Sequence, residues 1–135
     1  MRRCLAAVGA VALLSGCNGG TVDQHALKQD SKTISSLATE GGLLAGRVLK
    51  GESTVSYTRI QSANLGTLAA NFADSLGRRK TSPGIQFKVR TAANVAARVA
   101  EQFRALRDHP SDRAVARSVQ HALGPLADRA DKLAK

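Results

Sequence analysis

The side chains able to do chemistry in this sequence are few and scattered. Histidine occurs at His25, His109 and His121, and cysteine at Cys4 and Cys17. A zinc site needs several converging donors. His121 has Arg117 at i−4, which would oppose a bound cation, and His109 stands in the turn-like Asp108-His109-Pro110-Ser111. Ser31, Ser35, Ser36 and Ser53 cluster, but no serine lies in a G-x-S-x-G elbow or an S-x-x-K motif. Gly41-Gly42 lacks the lysine of a phosphate loop. Glu40 and Glu101 are each the lone acid midway along a helical pattern, and would have to face one another to act as an acid–base pair. Exposed salt bridges, such as Glu101 with Arg98 or Arg104, explain them more simply. No metal, soluble cofactor or catalytic residue is expected, which leaves the thiol of Cys17 as the group with a defined chemistry.

Cys17 ends the run Leu14-Ser15-Gly16-Cys17, which follows Met1-Arg2-Arg3 and the apolar residues 4–14. Two arginines hold a chain start on the cytoplasmic side, and the apolar run is shorter than the roughly 20 residues of a membrane-spanning helix. The order resembles a bacterial lipoprotein signal peptide with its lipobox. The resemblance covers the first 17 residues only; residues beyond Cys17 match no characterised family. It implies that Cys17 is alkylated by diacylglycerol, that residues 1–16 are removed, and that the protein is exported and lipid-anchored on the extracytoplasmic side of a bacterial membrane. A covalent lipid on Cys17 is then the one prosthetic group. Asn18-Gly19-Gly20 reads as the start of a flexible tether. The expected division is signal peptide 1–16, lipidated cysteine and tether 17–27, and one helical domain 28–135.

Charge is uneven along the chain. Residues 18–77 carry five basic and five acidic side chains, whereas residues 78–135 carry thirteen basic against five acidic. Such a surface attracts phosphate-rich partners. Arg78, Arg79, Lys80, Arg90 and Arg98 are the candidate contacts, with Arg104, Arg107, Arg113 and Arg117 farther along. The expected partners are anionic lipid, a wall polymer or an envelope protein. Nucleic acid is disfavoured by export, by the lack of a recognised module and by the scarcity of aromatics, which are Tyr57, Phe72, Phe87 and Phe103.

Four apolar patterns must position these groups. Leu27, Ile34, Leu37, Gly41, Leu44 and Val48 recur at helical spacing and stop at Gly51, a natural C-terminal glycine. Thr21-Val22-Asp23-Gln24 fits a capping box. Gly42 and Gly46 form a GxxxG within the first helix and predict a close contact with another helix, preferably at Ala92 and Ala96. A second helix, residues 55–78, starts after Glu52-Ser53-Thr54 and turns Tyr57, Ile60, Leu65, Leu68, Phe72 and Leu76 inward. Ser82 as N-cap and Pro83 as first residue open a third, with Val89, Ala92, Ala96, Val99, Phe103 and Leu106 spaced by three and four. Pro110 opens the fourth, with the stripe Val115, Val119, Ala122, Leu126, Ala130 and Leu133, and Pro125 predicts a kink or short break. The chain therefore reads as all-α, an up-down-up-down four-helix bundle. A three-helix bundle with a frayed first segment is the alternative. Its function reads as a membrane-anchored, non-enzymatic interaction module. A carrier holding an apolar ligand between alanine-lined helices ranks second, and an envelope hydrolase last.

Overall fold

Each of the four periodic segments forms a helix, and each helix buries one side against the others. A computed structural model describes residues 20–135; the signal segment and Cys17 lie outside them. The helices are α1 (Gln24–Lys50), α2 (Val55–Arg78), α3 (Gln86–Asp108) and α4 (Arg113–Leu133). Short connections make successive helices antiparallel, giving the up-down-up-down bundle. The closest pairs are α1 with α4 and α2 with α3, while α1 and α2 touch lightly. Among the described residues the buried core runs from Val22 to Ala134.

The ends of α1 follow from local chemistry. Asp23 is its N-cap, accepting the Ala26 N–H at 2.8 Å. The cap is thus Asp23 and not Thr21, so the expected capping box does not form. At the other end Gly51 adopts φ 73°, its N–H reaching the Val48 carbonyl and the Glu52 N–H the Arg47 carbonyl. These are the two bonds of a Schellman motif. The packed body also begins before the expected boundary at residue 28. Val22 and Leu27 are fully buried, and Val22 is clasped to the α2–α3 loop. Its N–H donates to the Lys80 carbonyl at 2.6 Å, and its own carbonyl accepts from the Ser82 N–H at 3.0 Å.

That clasp changes the start of α3. Ser82 does not cap the helix. Ser82-Pro83-Gly84-Ile85 forms a turn, with Gly84 at φ 87° and an Ile85 N–H to Ser82 carbonyl separation of 3.5 Å. A proline followed by a positive-φ glycine suits a type II turn. Helix α3 starts only at Gln86, whose side chain accepts the Gly84 N–H at 3.1 Å. Likewise Asp112, and not the Pro110 region, opens α4, accepting from Ala114 and Val115. Helix α4 runs through Pro125 without a break. Thr54 caps α2 as its position predicts.

The close glycine of α1 is Gly41. A Cβ there would lie 2.7 Å from Leu123 Cδ1 and 2.7 Å from Phe103 Cε1 and Cζ. Gly66 of α2 meets the same phenylalanine: its Cβ would stand 3.1 Å from Phe103 Cβ and 3.9 Å from the Ala100 carbonyl oxygen. Phe103 is fully buried, so its ring occupies space that two absent side chains leave. The expected contact of Gly42 and Gly46 with Ala92 and Ala96 is not made. A Cβ on Gly42 would meet nothing within 4 Å, and one on Gly46 would meet only Gln120 Nε2 of α4, at 3.1 Å. Gly42 lies one residue, or about 100° of helix rotation, off the buried stripe. Ala92 and Ala96 are buried in the core.

Helix α2 also turns differently from its predicted apolar side. Its buried residues are Thr58, Ser62, Leu65, Ala69 and Leu76, while Tyr57, Ile60 and Leu68 face outward. Small side chains let α2 approach α3 closely, and bulky ones at those positions would hold it off. The cost is partly polar. Thr58 is satisfied by the Ser53 hydroxyl at 2.7 Å, but the Ser31 and Ser62 hydroxyls are buried without a partner.

Gly41→Ala should destabilise the fold by about 1–3 kcal/mol through overpacking against Phe103 and Leu123. Gly42→Ala should instead stabilise it by about 0.5–1 kcal/mol, because Ala is the better helix residue and its methyl enters open space. Denaturant unfolding of both variants checks the pair of signs.

Candidate functional site

The described chain begins at one end of the bundle, and that end carries part of the basic charge. Val22 fixes the chain against the α2–α3 loop, beside Arg78, Arg79 and Lys80. Of these three, Arg79 is not free for a partner. It is half-buried, with its Nη1 3.3 Å from Asp30 Oδ2 and its Nε donating to the Gly20 carbonyl at 3.5 Å. It ties the chain start and α1 to the loop. Arg78 stays exposed, 4.0 Å from the exposed Asp74 carboxylate, and the Lys80 side chain is exposed.

The remaining basic residues are spread along α3 and α4. Helix α3 leads away from the loop for 23 residues, about 33 Å at 1.5 Å per residue. Arg90 lies one turn from its start. Arg98 lies midway, in a shallow groove with Asn94, Glu101 and Arg129. Arg104, Arg107, Arg113 and Arg117 stand near the opposite end, where Arg107 Nε contacts Asp108 Oδ1 at 2.9 Å. That hydrogen bond holds the Asp108 carboxyl below its ordinary range. The basic residues at the two ends of α3 are therefore farther apart than charges communicate through salt water, about 8–10 Å, with Arg98 between them.

Two features of the end where Val22 meets the α2–α3 loop were not singled out in the sequence. Phe87, in the first turn of α3, is 80% exposed, the most exposed large apolar side chain among the described residues. Its offset from the stripe of Val89, Ala92 and Ala96 is the signal that places it outside the core. Lys88 follows it, also exposed. The second feature is α4, which runs antiparallel to α1 and brings Lys132 and Lys135 back toward the same end.

The opposite end holds an open groove of about 500 Å³ where α1 and α2 diverge. Leu43, Tyr57 and Leu65 line it together with the charged Glu40, Arg47 and Lys50. Leu43 is 68% exposed. The groove lies on the surface, whereas Ala92 and Ala96, of the alanine-lined seam, are buried in the core. Glu40 lines this groove while Glu101 lies in the groove with Arg98 and Arg129, so the two acids do not share a site. His25 is exposed and paired with Gln29 at 2.9 Å, His109 ends α3, and His121 is exposed on α4. Among the described residues no group of three metal-binding side chains converges, and no helix is long and apolar enough to cross a membrane. No family model, curated protein or solved structure matches the chain.

The Asp30–Arg79 pair gives a pH signature. Burial pushes the Asp30 carboxyl above its ordinary 3.8, and the neighbouring guanidinium, pulling it down, does not fully offset this. The folded protein then takes up the proton at higher pH than the unfolded chain does. Stability from this group is greatest in acid and falls as pH rises from 3.8 through the raised value. Relative to Asp30→Asn, the wild-type protein should lose stability across that window, measured by urea unfolding between about pH 3 and about pH 7. A difference that grows with pH would mean that the ion pair outweighs burial.

Proposed function

We propose that this protein is a non-enzymatic, lipid-anchored module of the bacterial cell envelope, held on the extracytoplasmic side of a membrane through Cys17. The observation that carries the proposal is the sequence Leu14-Ser15-Gly16-Cys17 behind an arginine-led apolar run. Each buried acyl CH2 contributes about 0.8 kcal/mol, so two or three chains on one cysteine retain a protein stably. The fold is compatible with such an anchor. The packed body starts at Val22, and α1 begins at Gln24, so a short tether separates the lipid from a rigid bundle.

The non-enzymatic reading draws on the separation of the candidate groups. Glu40 and Glu101 lie in different grooves, and the three imidazoles lie at different places on the surface. The bundle is suited to presenting surfaces. Its tethered end faces the membrane, and the groove at the other end, with Leu43 and Tyr57, faces an envelope protein or wall polymer.

Cys17→Ala tests the anchor. The variant should lose labelling by a fatty-acid probe, retain or miscleave its signal segment, and leave the mature membrane-anchored pool. A variant that labels and fractionates as wild type does would refute lipidation at Cys17.

A further inference from the structure

We infer that the α2–α3 loop and the first turn of α3 dock on an anionic lipid surface, with Phe87 entering the bilayer interface and Arg78, Lys80, Lys88 and Arg90 lying on headgroups. The orientation it assigns in the cell rests on the lipid-anchored reading. The docking face itself is defined by residues of the bundle.

Three independent observations meet at this end. The first is covalent reach. Cys17 and Val22 are five residues apart, which spans at most about 18 Å. Val22 is fully buried and bonded to Lys80 and Ser82, so the tether ends on the α2–α3 loop and not at a mobile point. Helix α1 alone is 27 residues, or about 40 Å, long. An anchor at Cys17 therefore brings the loop, and not the distal groove, to the membrane. The second is charge. Arg78 and Lys80 flank the clasp, Lys88 and Arg90 follow in the first turns of α3, and all four are exposed. Arg79 stands between Arg78 and Lys80 but is turned inward to Asp30, which keeps the loop in shape. Basic residues near an anionic leaflet are attracted only within a Debye length, so the loop end is the part of the basic half close enough to act.

The third is Phe87. A single exposed apolar side chain is ordinary on a protein surface. This one is an aromatic at 80% exposure, two residues past the Ser82–Ile85 turn, with basic residues on both sides in sequence. An aromatic beside cations is the pairing that interfacial segments use, the ring in the acyl boundary and the cations on phosphates. With the loop on the membrane, the α1–α2 groove is held at the far end of the bundle.

The chain contains no tryptophan, so one introduced residue gives an unambiguous fluorescence signal. The experiment uses the unlipidated chain 18–135, which includes every core residue among the described residues, carrying either Phe87→Trp or Tyr57→Trp, the latter at the distal end. The probes are vesicles of phosphatidylcholine alone or mixed with phosphatidylglycerol, with brominated acyl chains as quencher. At low salt Trp emission from Phe87→Trp should shift to the blue and be quenched on the phosphatidylglycerol vesicles only, while emission from Tyr57→Trp stays unchanged. Phe87→Ala, and charge reversal at Arg78, Lys80 and Arg90, should weaken vesicle binding at least tenfold by sedimentation. Charge reversal at Arg113 and Arg117 should change it less than about twofold. Absence of quenching, equal quenching at both probe positions, or equal loss from reversal at either end would overturn the docking face, as would binding to isolated wall polymer without binding to vesicles. The chain used carries no lipid, so its result stands apart from whether Cys17 is acylated.

Discussion

The packing of Phe103 is the constraint from which the arrangement of the bundle follows. Its ring contacts the space above Gly41 of α1 and shares that space with Leu123 of α4, while its Cβ lies against Gly66 of α2. One side chain of α3 thus lies against glycines of α1 and α2, next to Leu123 of α4 at the Gly41 position. Such a contact needs two positions without a Cβ, and each mid-helix glycine costs about 0.5–1 kcal/mol relative to alanine. Full burial of a phenylalanine contributes about 1.5–3 kcal/mol, which offsets the two glycines only when the fit is close. In a domain with few aromatics and an alanine-rich core, this ring is the largest fully buried side chain.

The same fit determines what reaches the surface. To seat Gly66 against Phe103 and Ala100, α2 presents Ser62, Gly66 and Ala69 toward α3. Tyr57, Ile60 and Leu68 then point away from the seam, and α2 lies only lightly on α1. The groove beside Leu43 and Tyr57 is the outcome. Two unpartnered buried hydroxyls, at Ser31 and Ser62, show the same preference for small volume over polar satisfaction. An unpaired buried hydroxyl costs on the order of 1–3 kcal/mol, so close approach must return at least that much.

Periodicity carried most of the fold. The stripes of α1 and α3, the stop at Gly51 and the cap at Thr54 were all legible, because each depends on residues within one turn of one another. The failures share a cause. The pattern shows which side of a helix is apolar but not which neighbour it will meet, so Gly42 and Gly46 stood out as a motif while Gly41 passed as an ordinary stripe position. Helix α2 had more apolar residues than one buried face could hold, and only the seam with α3 chose among them. Ser82 and Pro83 form a sound local start signal, but Ser82's N–H bonds to Val22, sixty residues earlier in the sequence. The basic half shows the same limit. A net charge along the sequence says nothing of how helix length divides it, and Arg79 could be separated from Arg78 and Lys80 only by finding Asp30 beside it. Phe87 was legible as lying off the core stripe, but its place beside the loop that Val22 clasps was not.

A bundle whose two ends are distinct needs α1 fixed against α3 and α4, which is what Phe103 and Gly41 supply. The most direct test is a double-mutant cycle on Gly41→Ala and Phe103→Leu, followed by urea unfolding. Each single change should destabilise, the first by crowding the ring and the second by leaving a cavity. Together they should relieve one another, because the alanine methyl enters space that the shorter side chain vacates, and the double variant should be more stable than the sum of the two by about 1–2 kcal/mol. Losses that add to within about 0.5 kcal/mol would mean that the two residues do not share a site, and would contradict the packing on which this account of the bundle rests.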